Sequence, residues 1–230
     1  MNLNKLFDAV YYINLDCRTD RLKHFWDSNR KFLCRNSTIR ISAFDAKNSE
    51  GLHGFNSIMK ARAAHLVSYS KPFNHALKNN FKNILILEDD AEPLTRDITE
   101  AQSIISNCQK TAYDILFLGG TVQSKLSKEN DFLYKVKNNV LTTHAISFQN
   151  NNKLFQKISE KGKDFNTAFN FVTRERAGFA TDLLTSELTL NYASFITNKL
   201  IYGQYENFSD IDGVNAPRNQ DMIRRFERFT

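Results

Sequence analysis

Three apolar runs set the frame of the chain: residues 9–15 (AVYYINL), 83–87 (NILIL) and 114–118 (DILFL). Short runs of β-branched and aromatic residues without alternation read as strands buried on both faces. Residues 38–44 (TIRISAF) alternate and read as a further strand. Helical spacing fills the intervals. Leu22, Phe25 and Trp26 share one face behind Thr19 or Asp20 as cap. Residues 57–79 read as one long helical stretch, in which Pro72 predicts a break or a new first turn. Asp97 to Glu100 resembles a capping box, and Ala101, Ile104, Ile105 and Cys108 follow at i, i+3, i+4 and i+7. Residues 132–136 and 140–148 read as a hairpin turning near Asn138 and Asn139. A lysine-rich helix over 151–161 stops at Gly162, another helix covers 181–192, and 200–204 is a last short strand.

Buried strands alternating with helices predict an α/β fold with a mostly parallel central sheet flanked by helices. No Gly/Ser/Pro-rich linker divides the 230 residues, so a single domain over 1–230 is expected. In such sheets ligands bind beyond the carboxyl ends of the strands. Asn14-Leu15-Asp16, Glu88-Asp89-Asp90 and Gly119-Gly120 stand at three such ends.

Composition changes the picture little. It excludes disordered, collagen-like and mucin-like classes. No apolar run approaches the roughly 20 residues of a membrane span, and no secretory leader is read at the N-terminus. A cytoplasmic protein is expected, with attachment at a membrane surface as its only tie to lipid. The three cysteines are scattered and form no CxxC, which points to free thiols in a reducing compartment. The net charge of +6 is uneven. Residues 1–60 and 121–180 carry 10 basic side chains each, against 6 and 5 acidic ones, while 61–120 carry 6 against 7. Basic segments suit polyanions such as nucleotide diphosphates, nucleic acid or acidic headgroups.

Candidate chemistry starts from Glu88-Asp89-Asp90. Three adjacent carboxylates after an apolar strand repel one another, and a divalent cation such as Mg²⁺ or Mn²⁺ relieves that repulsion while leaving room for substrate phosphates. The competing reading is a solvated acidic turn. The chain has no G-x-G-x-x-G, no P-loop and no G-x-S-x-G, and its five histidines lack zinc-site spacing.

Several pieces, in order, resemble glycosyltransferase family 25, the group of lipooligosaccharide and collagen galactosyltransferases. Residues 12–21 (YINLDCRTDR) are similar to its opening VINLDRRPDR, and residues 42–46 to its A-x-D-G turn. Residues 84–90 (ILILEDD) resemble its ILEDD motif, and 113–119 (YDILFLG) its next strand. Thr143-His144-Ala145 resembles its THAY, with Ile146 replacing the Tyr. Asp182-Leu183-Leu184, Gln204 and Ser209-Asp210-Ile211 are similar to its C-terminal half. The chain departs from the family's Gly-Cys-x-x-Ser-His segment, where only Ser68 survives and Tyr69 stands at the His position.

The resemblance implies a GT-A-like fold with a nucleotide-sugar-binding half (about 1–120) and an acceptor-binding half (about 121–230). It implies an inverting, metal-dependent transfer of a sugar from a nucleotide donor, expected to be UDP-linked, to an acceptor hydroxyl. The metal, Mn²⁺ or Mg²⁺, would be held by Asp90 and Glu88, with Asp210 as a further ligand. The donor would be held by Asn14, Leu15, Asp16, Arg18, Arg21, Asp45, Asp89 and Gly119. Asp182 is the candidate general base, with Asp210 and Asp212 as rivals, and His144 is either an acceptor contact or a core histidine. The acceptor implied is a lipooligosaccharide or other glycan. A modified base in duplex DNA is the alternative, with Lys125, Lys128, Lys135 and Lys137 among the candidate phosphate contacts. A catalytically degenerate binding module is the third reading.

Overall fold

A computed structural model describes residues 2–48, 57–149, 151–174, 180–205 and 218–230. Its strands are β1 (Ala9–Asn14), β2 (Thr38–Ser42), β3 (Asn83–Glu88), β4 (Ala91–Pro93), β5 (Ile115–Phe117), β6 (Thr121–Val122), β7 (Ser127–Lys128), β8 (Leu133–Lys135), β9 (Val140–Leu141), β10 (Ala145–Gln149), β11 (Ser194–Thr197) and β12 (Tyr202–Gln204). Its helices are α1 (Thr19–Asn29), α2 (Ser57–Asn79), α3 (Ile98–Cys108), α4 (Asn152–Lys161), α5 (Phe165–Arg174), α6 (Ala180–Leu188) and α7 (Arg218–Phe229).

The apolar runs are unbroken because the main sheet is covered on both faces. Along β1, Tyr11 and Ile13 enter one core while Val10 and Tyr12 enter the other. β3 divides the same way, Ile84 and Ile86 against Leu85 and Leu87. The first core also takes residues from α2, α4, α5, α6 and α7; the second takes residues from α1 and α3. This is the helix-sheet-helix layering that the apolar pattern implied. Among the described residues no helix is long and apolar enough to cross a membrane.

The eight-stranded sheet runs β2-β1-β3-β10-β5-β11-β8-β7. β2, β1 and β3 are parallel, and so are β5 and β11, while β10 and β8 run against their neighbours. The expected α/β class with its parallel N-terminal strands is therefore present, in a sheet that is mixed. The reversal of β10 matters for the site. Ala145 lies opposite Leu87, so the residues leading into β10 arrive beside the carboxyl end of β3. Two small ribbons, β12-β4 and β6-β9, frame that end.

Three local expectations need correction. The hairpin predicted around Asn138 does not form: β8 pairs with β11 and β7, and β9 pairs with β6. Asn138 does turn the chain, with φ 54°, but tertiary partners claim both flanking strands. Pro72 does not break α2, which runs through it with the proline buried. Packing of α2 on α4 and α5 holds the helix together across the missing N–H. Glu100 does not close a capping box; it accepts from Thr95 Oγ1 (2.9 Å) and Lys199 Nζ (2.6 Å), while Asp97 caps α3 alone through Thr99 N (2.8 Å).

α2 and α4 approach closely at Gly162, which ends α4. A Cβ there would stand 2.4 Å from the Leu66 carbonyl oxygen and 2.6 Å from Ser70 Cβ, and Ser70 Oγ donates to the Gly162 carbonyl at 2.8 Å. Gly162→Ala should therefore destabilise the fold by about 1–3 kcal/mol through overpacking, measured by urea unfolding. An unchanged midpoint would show that the two helices part freely.

Candidate functional site

The carboxyl ends of β1 and β3 open on a cavity of ≈ 680 Å³. Its electrostatics begin with Asp89. Asn14, the last residue of β1, donates Nδ2 to Asp89 Oδ2 at 2.8 Å, and Arg21 on α1 donates Nη1 to Asp89 Oδ1 at 2.9 Å. Both Asp89 oxygens are thus engaged by the first βα unit. Burial lifts the Asp89 carboxyl above its usual value against the pull of Arg21 and Asn14. Asn14 also donates to the Arg18 carbonyl (3.2 Å) and accepts from Arg40 Nη2 (2.7 Å). The Asn-Leu-Asp turn is therefore a clasp that shapes the wall.

Glu88 faces a second arrangement. Thr143, leading into β10, donates Oγ1 to Glu88 Oε1 at 2.5 Å, and the same hydroxyl lies 3.4 Å from Asp182 Oδ1. His65 on α2 places Nε2 at 3.3 Å from Glu88 Oε1, an ion-pair contact without the alignment of a hydrogen bond. Its Nδ1 meets Thr181 Oγ1 at 2.8 Å. Burial works against a charge on His65, but Glu88, with Asp182 and Asp90 nearby, outweighs it and raises the imidazole pKa. Burial likewise works against the Glu88 anion, and the His65 charge with the Thr143 bond overcomes it, holding Glu88 down at about 2. Asp182, in the first turn of α6, meets Thr143 only at 3.4 Å and makes no ion pair among the described residues. Burial first, and then the Glu88 charge, push it up to about 7 against the opposing pull of His65.

The structure brings most of the sequence candidates to this cavity. Asn14, Leu15, Arg21, Asp45, Glu88, Asp89, Asp90 and Asp182 all line it. Others are placed elsewhere. Asp16 pairs with Arg40 (2.8 Å) and Ser42 (2.8 Å) away from the lining, and Arg18 forks onto Asp20 at 2.9 and 2.8 Å. Gly119 sits behind the wall: a Cβ there would meet the Tyr202 carbonyl oxygen at 2.1 Å and His144 Nε2 at 2.5 Å. His144 is fully buried and faces that same carbonyl at 3.4 Å, as a core histidine does. Asp210 and Asp212 lie outside the described residues. His65 and Thr181 are cavity side chains that the sequence reading did not single out, and Thr143 entered it only within the Thr143-His144-Ala145 piece. The traceable sign was on α2, where Ala61, Arg62, His65 and Ser68 follow helical spacing and turn a small and polar face to the cavity.

A divalent cation fits the donor set in one manner. Asp90 is buried and lines the cavity, and the surrounding donors are hard oxygens. Mg²⁺ or Mn²⁺ binds through one or two carboxylates together with water and substrate phosphates. Among the described residues no group of three His, Cys, Asp or Glu side chains is arranged to cage an ion. Asp89, with both oxygens committed, contributes shape rather than ligation.

No protein-family model matches the chain, and no curated protein matches it. Among solved structures it is similar to A197 from STIV, at 11% identity and a TM-score of 0.45 over 90% of this chain and 91% of that one. It is also similar to a mannose-1-phosphate geranyltransferase from Thermus thermophilus, at 9% identity and a TM-score of 0.45 over 85% and 74% of the two chains. A third likeness is to an apo UDP-glucose pyrophosphorylase, at 10% identity and a TM-score of 0.43 over 96% and 81%.

The raised Asp182 carboxyl has a measurable signature. Its folded pKa of about 7 stands above the ordinary 3.8, so between those values the folded state holds a proton that the unfolded state has released. Its contribution to stability is full below about pH 4 and is lost as pH rises through 7. Asp182→Asn removes the penalty. In chelator, the variant should match the parent at pH 4 and exceed it at pH 8 by roughly 1–3 kcal/mol, within the ~1.4 kcal/mol per pKa unit that linkage allows. Parallel stability curves across pH would contradict the buried-carboxylate assignment.

Proposed function

We propose that the protein is a glycosyltransferase that moves a sugar from a nucleotide-sugar donor, UDP-linked by the family 25 resemblance, to an acceptor hydroxyl. The observation that carries this reading is the pairing of two unlike carboxylates in one cavity. Glu88 is held ionised by His65 and Thr143, while Asp182, bridged to it by Thr143, sits near neutral pKa. Two titratable groups pushed apart by their surroundings are the pattern of divided acid–base roles.

Asp182 is the group suited to accept the proton of the attacking hydroxyl, because a base works best with a pKa near the working pH. Thr143 orients Asp182 and Glu88 through one shared hydroxyl. Asn14, Arg21 and Asp89 fix the turn after β1, which borders the donor side with Asp45. Thr121, Gln123, Gln204 and Asp221 line the cavity with hydrogen-bonding groups suited to acceptor hydroxyls. A divalent cation, when bound, supplies Lewis-acid neutralisation of the departing diphosphate, and Asp90, with Glu88 beside it, would hold it. Ile13, Ala43, Phe44, Ala64 and Leu141 give the wall an apolar part that limits water near the reacting centre.

Two experiments test this. With Mn²⁺ and a panel of nucleotide sugars, donor hydrolysis should appear and fall at least 100-fold in Asp90→Ala, whereas Asp182→Asn should retain donor affinity and lose 10²–10⁴ in transfer rate. Hydrolysis that is absent for every donor, or that persists in Asp90→Ala under chelation, would sink the reading. Independently of turnover, Cys17 is exposed and borders the cavity beside the clasp. UDP with Mn²⁺ should slow its alkylation several-fold, read by mass spectrometry of the Cys17 peptide; an unchanged rate would place the nucleotide elsewhere.

A further inference from the structure

A second recess, of ≈ 610 Å³, lies at the far edge of the main sheet. Lys125, Lys128, Lys135 and Lys137 line it together with Tyr134, and no Asp or Glu side chain does. Lys128 pairs with Asp131 at 2.8 Å, whereas Lys125, Lys135 and Lys137 have no ion-pair partner among the described residues. All four are exposed. Like charges gathered in a concavity raise its potential and favour an anion there.

The recess is joined to the cleft by two routes. Thr121 and Gln123 line the cleft, and Lys125 and Ser127, the next residues at the same spacing of two, line the recess. On the other side α7 spans the gap: Asp221 borders the cleft and Thr230, just past its end, borders the recess. Those positions are about 14 Å apart at 1.5 Å per residue. Leu126 N donates to the Phe229 carbonyl (2.9 Å) and Arg225 Nη1 reaches Gln123 Oε1 (3.3 Å), so helix and segment are pinned together. The two linings touch where Gln123 N donates to the Asn139 carbonyl at 2.8 Å, so a strand running from the recess along α7 into the cleft covers at most about four nucleotide steps at 3.4 Å of rise.

We propose that the recess binds the phosphate backbone of a nucleic acid strand, and that a nucleotide within about four steps along it is thereby presented to the adjoining cleft as acceptor. A chain with evenly repeated phosphates meets both places at once, whereas a single phosphate on a small acceptor reaches only one. A lipid surface is disfavoured by shape: the lysines line a hollow, and none of the exposed large apolar side chains (Ile58, Leu190, Ile223) is among its residues. The acceptor part of this assignment rests on the transferase reading; the backbone site does not.

The test is fluorescence anisotropy with labelled 20-nucleotide single-stranded and duplex DNA, between 50 and 200 mM NaCl. Three or four neutralised phosphates give a log–log salt slope of about −2 to −4. The combined variant Lys125→Glu, Lys135→Glu, Lys137→Glu should bind at least tenfold more weakly with a much flatter slope, at an unchanged melting temperature. Its donor hydrolysis with Mn²⁺ should equal the parent's, since none of the three borders the cleft. Absence of DNA binding by the parent at 50 mM NaCl overturns the proposal, and so does a charge-reversed variant that binds as the parent does. Binding to vesicles containing phosphatidylserine through these lysines, with DNA ignored, overturns it in favour of a membrane surface. A parent that binds DNA with the expected slope but hydrolyses no donor leaves the backbone site standing and removes the transferase reading.

Discussion

Burial of negative charge at the end of β3 is the constraint around which the rest of the site is arranged. Glu88, Asp89, Asp90 and Asp182 share one cavity wall, and three carboxylates in sequence follow a strand with fully buried neighbours. Ionised carboxylates so placed are costly unless compensated. The fold supplies two fixed compensations from opposite layers. Arg21 comes from α1, on one side of the sheet, to Asp89; His65 comes from α2, on the other side, to Glu88. Asp182 receives neither and holds its proton up to near-neutral pH. The uneven compensation, rather than the number of acids, is what differentiates four chemically similar side chains.

The reversed strand β10 is what makes that differentiation possible. A parallel strand beside β3 would bring its carboxyl end to the site; the antiparallel one brings the residues before its start. Thr143 arrives that way and bridges Glu88 and Asp182, while the adjoining His144 carbonyl accepts from Glu88 N at 2.9 Å. One hydroxyl therefore couples a strand end 55 residues before it to a helix start 39 residues after it. Gly119 serves the same architecture from behind, since the Tyr202 carbonyl and His144 occupy the space a side chain there would need. Its place after an apolar strand suggested a ligand loop, and its role is close packing.

How much of this could be read in the chain divides along the range of the interactions. The buried strands were legible because alternation is suppressed when both faces are covered, and Asp97 and Gly162 marked helix ends through local chemistry. The meeting of Asn14 with Glu88-Asp89-Asp90 was legible too, because parallel neighbours align their carboxyl ends. Pairing choices were not: the segments flanking Asn138 look like a hairpin, and only the competing partners β11 and β6 decide otherwise. α5 and α7 were missed, although both carry apolar faces, because polar and charged residues dominated the local reading. His65 was missed for a different reason. A histidine on a helix gains its role from Glu88 and Thr181, which lie 23 and 116 residues away, and no local pattern encodes that meeting.

The uneven net charge also acquires a spatial meaning. The acidic cleft and the lysine recess adjoin, since Gln123 N in the one lining donates to the Asn139 carbonyl in the other at 2.8 Å. The charges that chiefly act on Glu88 and Asp182 are nevertheless local, those of His65 and of the carboxylates themselves, and no recess lysine is among them. A lysine brought beside Asp182 would lower its pKa and erase the contrast with Glu88. The helix that runs between them pairs Asp221 with both Arg224 and Arg225 at 2.7 Å each, and with four arginines against two acids it carries a net positive charge. Local pairing, with Arg21 and His65 at the carboxylates and no ion-pair partner among the described residues at Lys125, Lys135 and Lys137, is what lets one small surface attract phosphate at one end and retain buried carboxylates at the other.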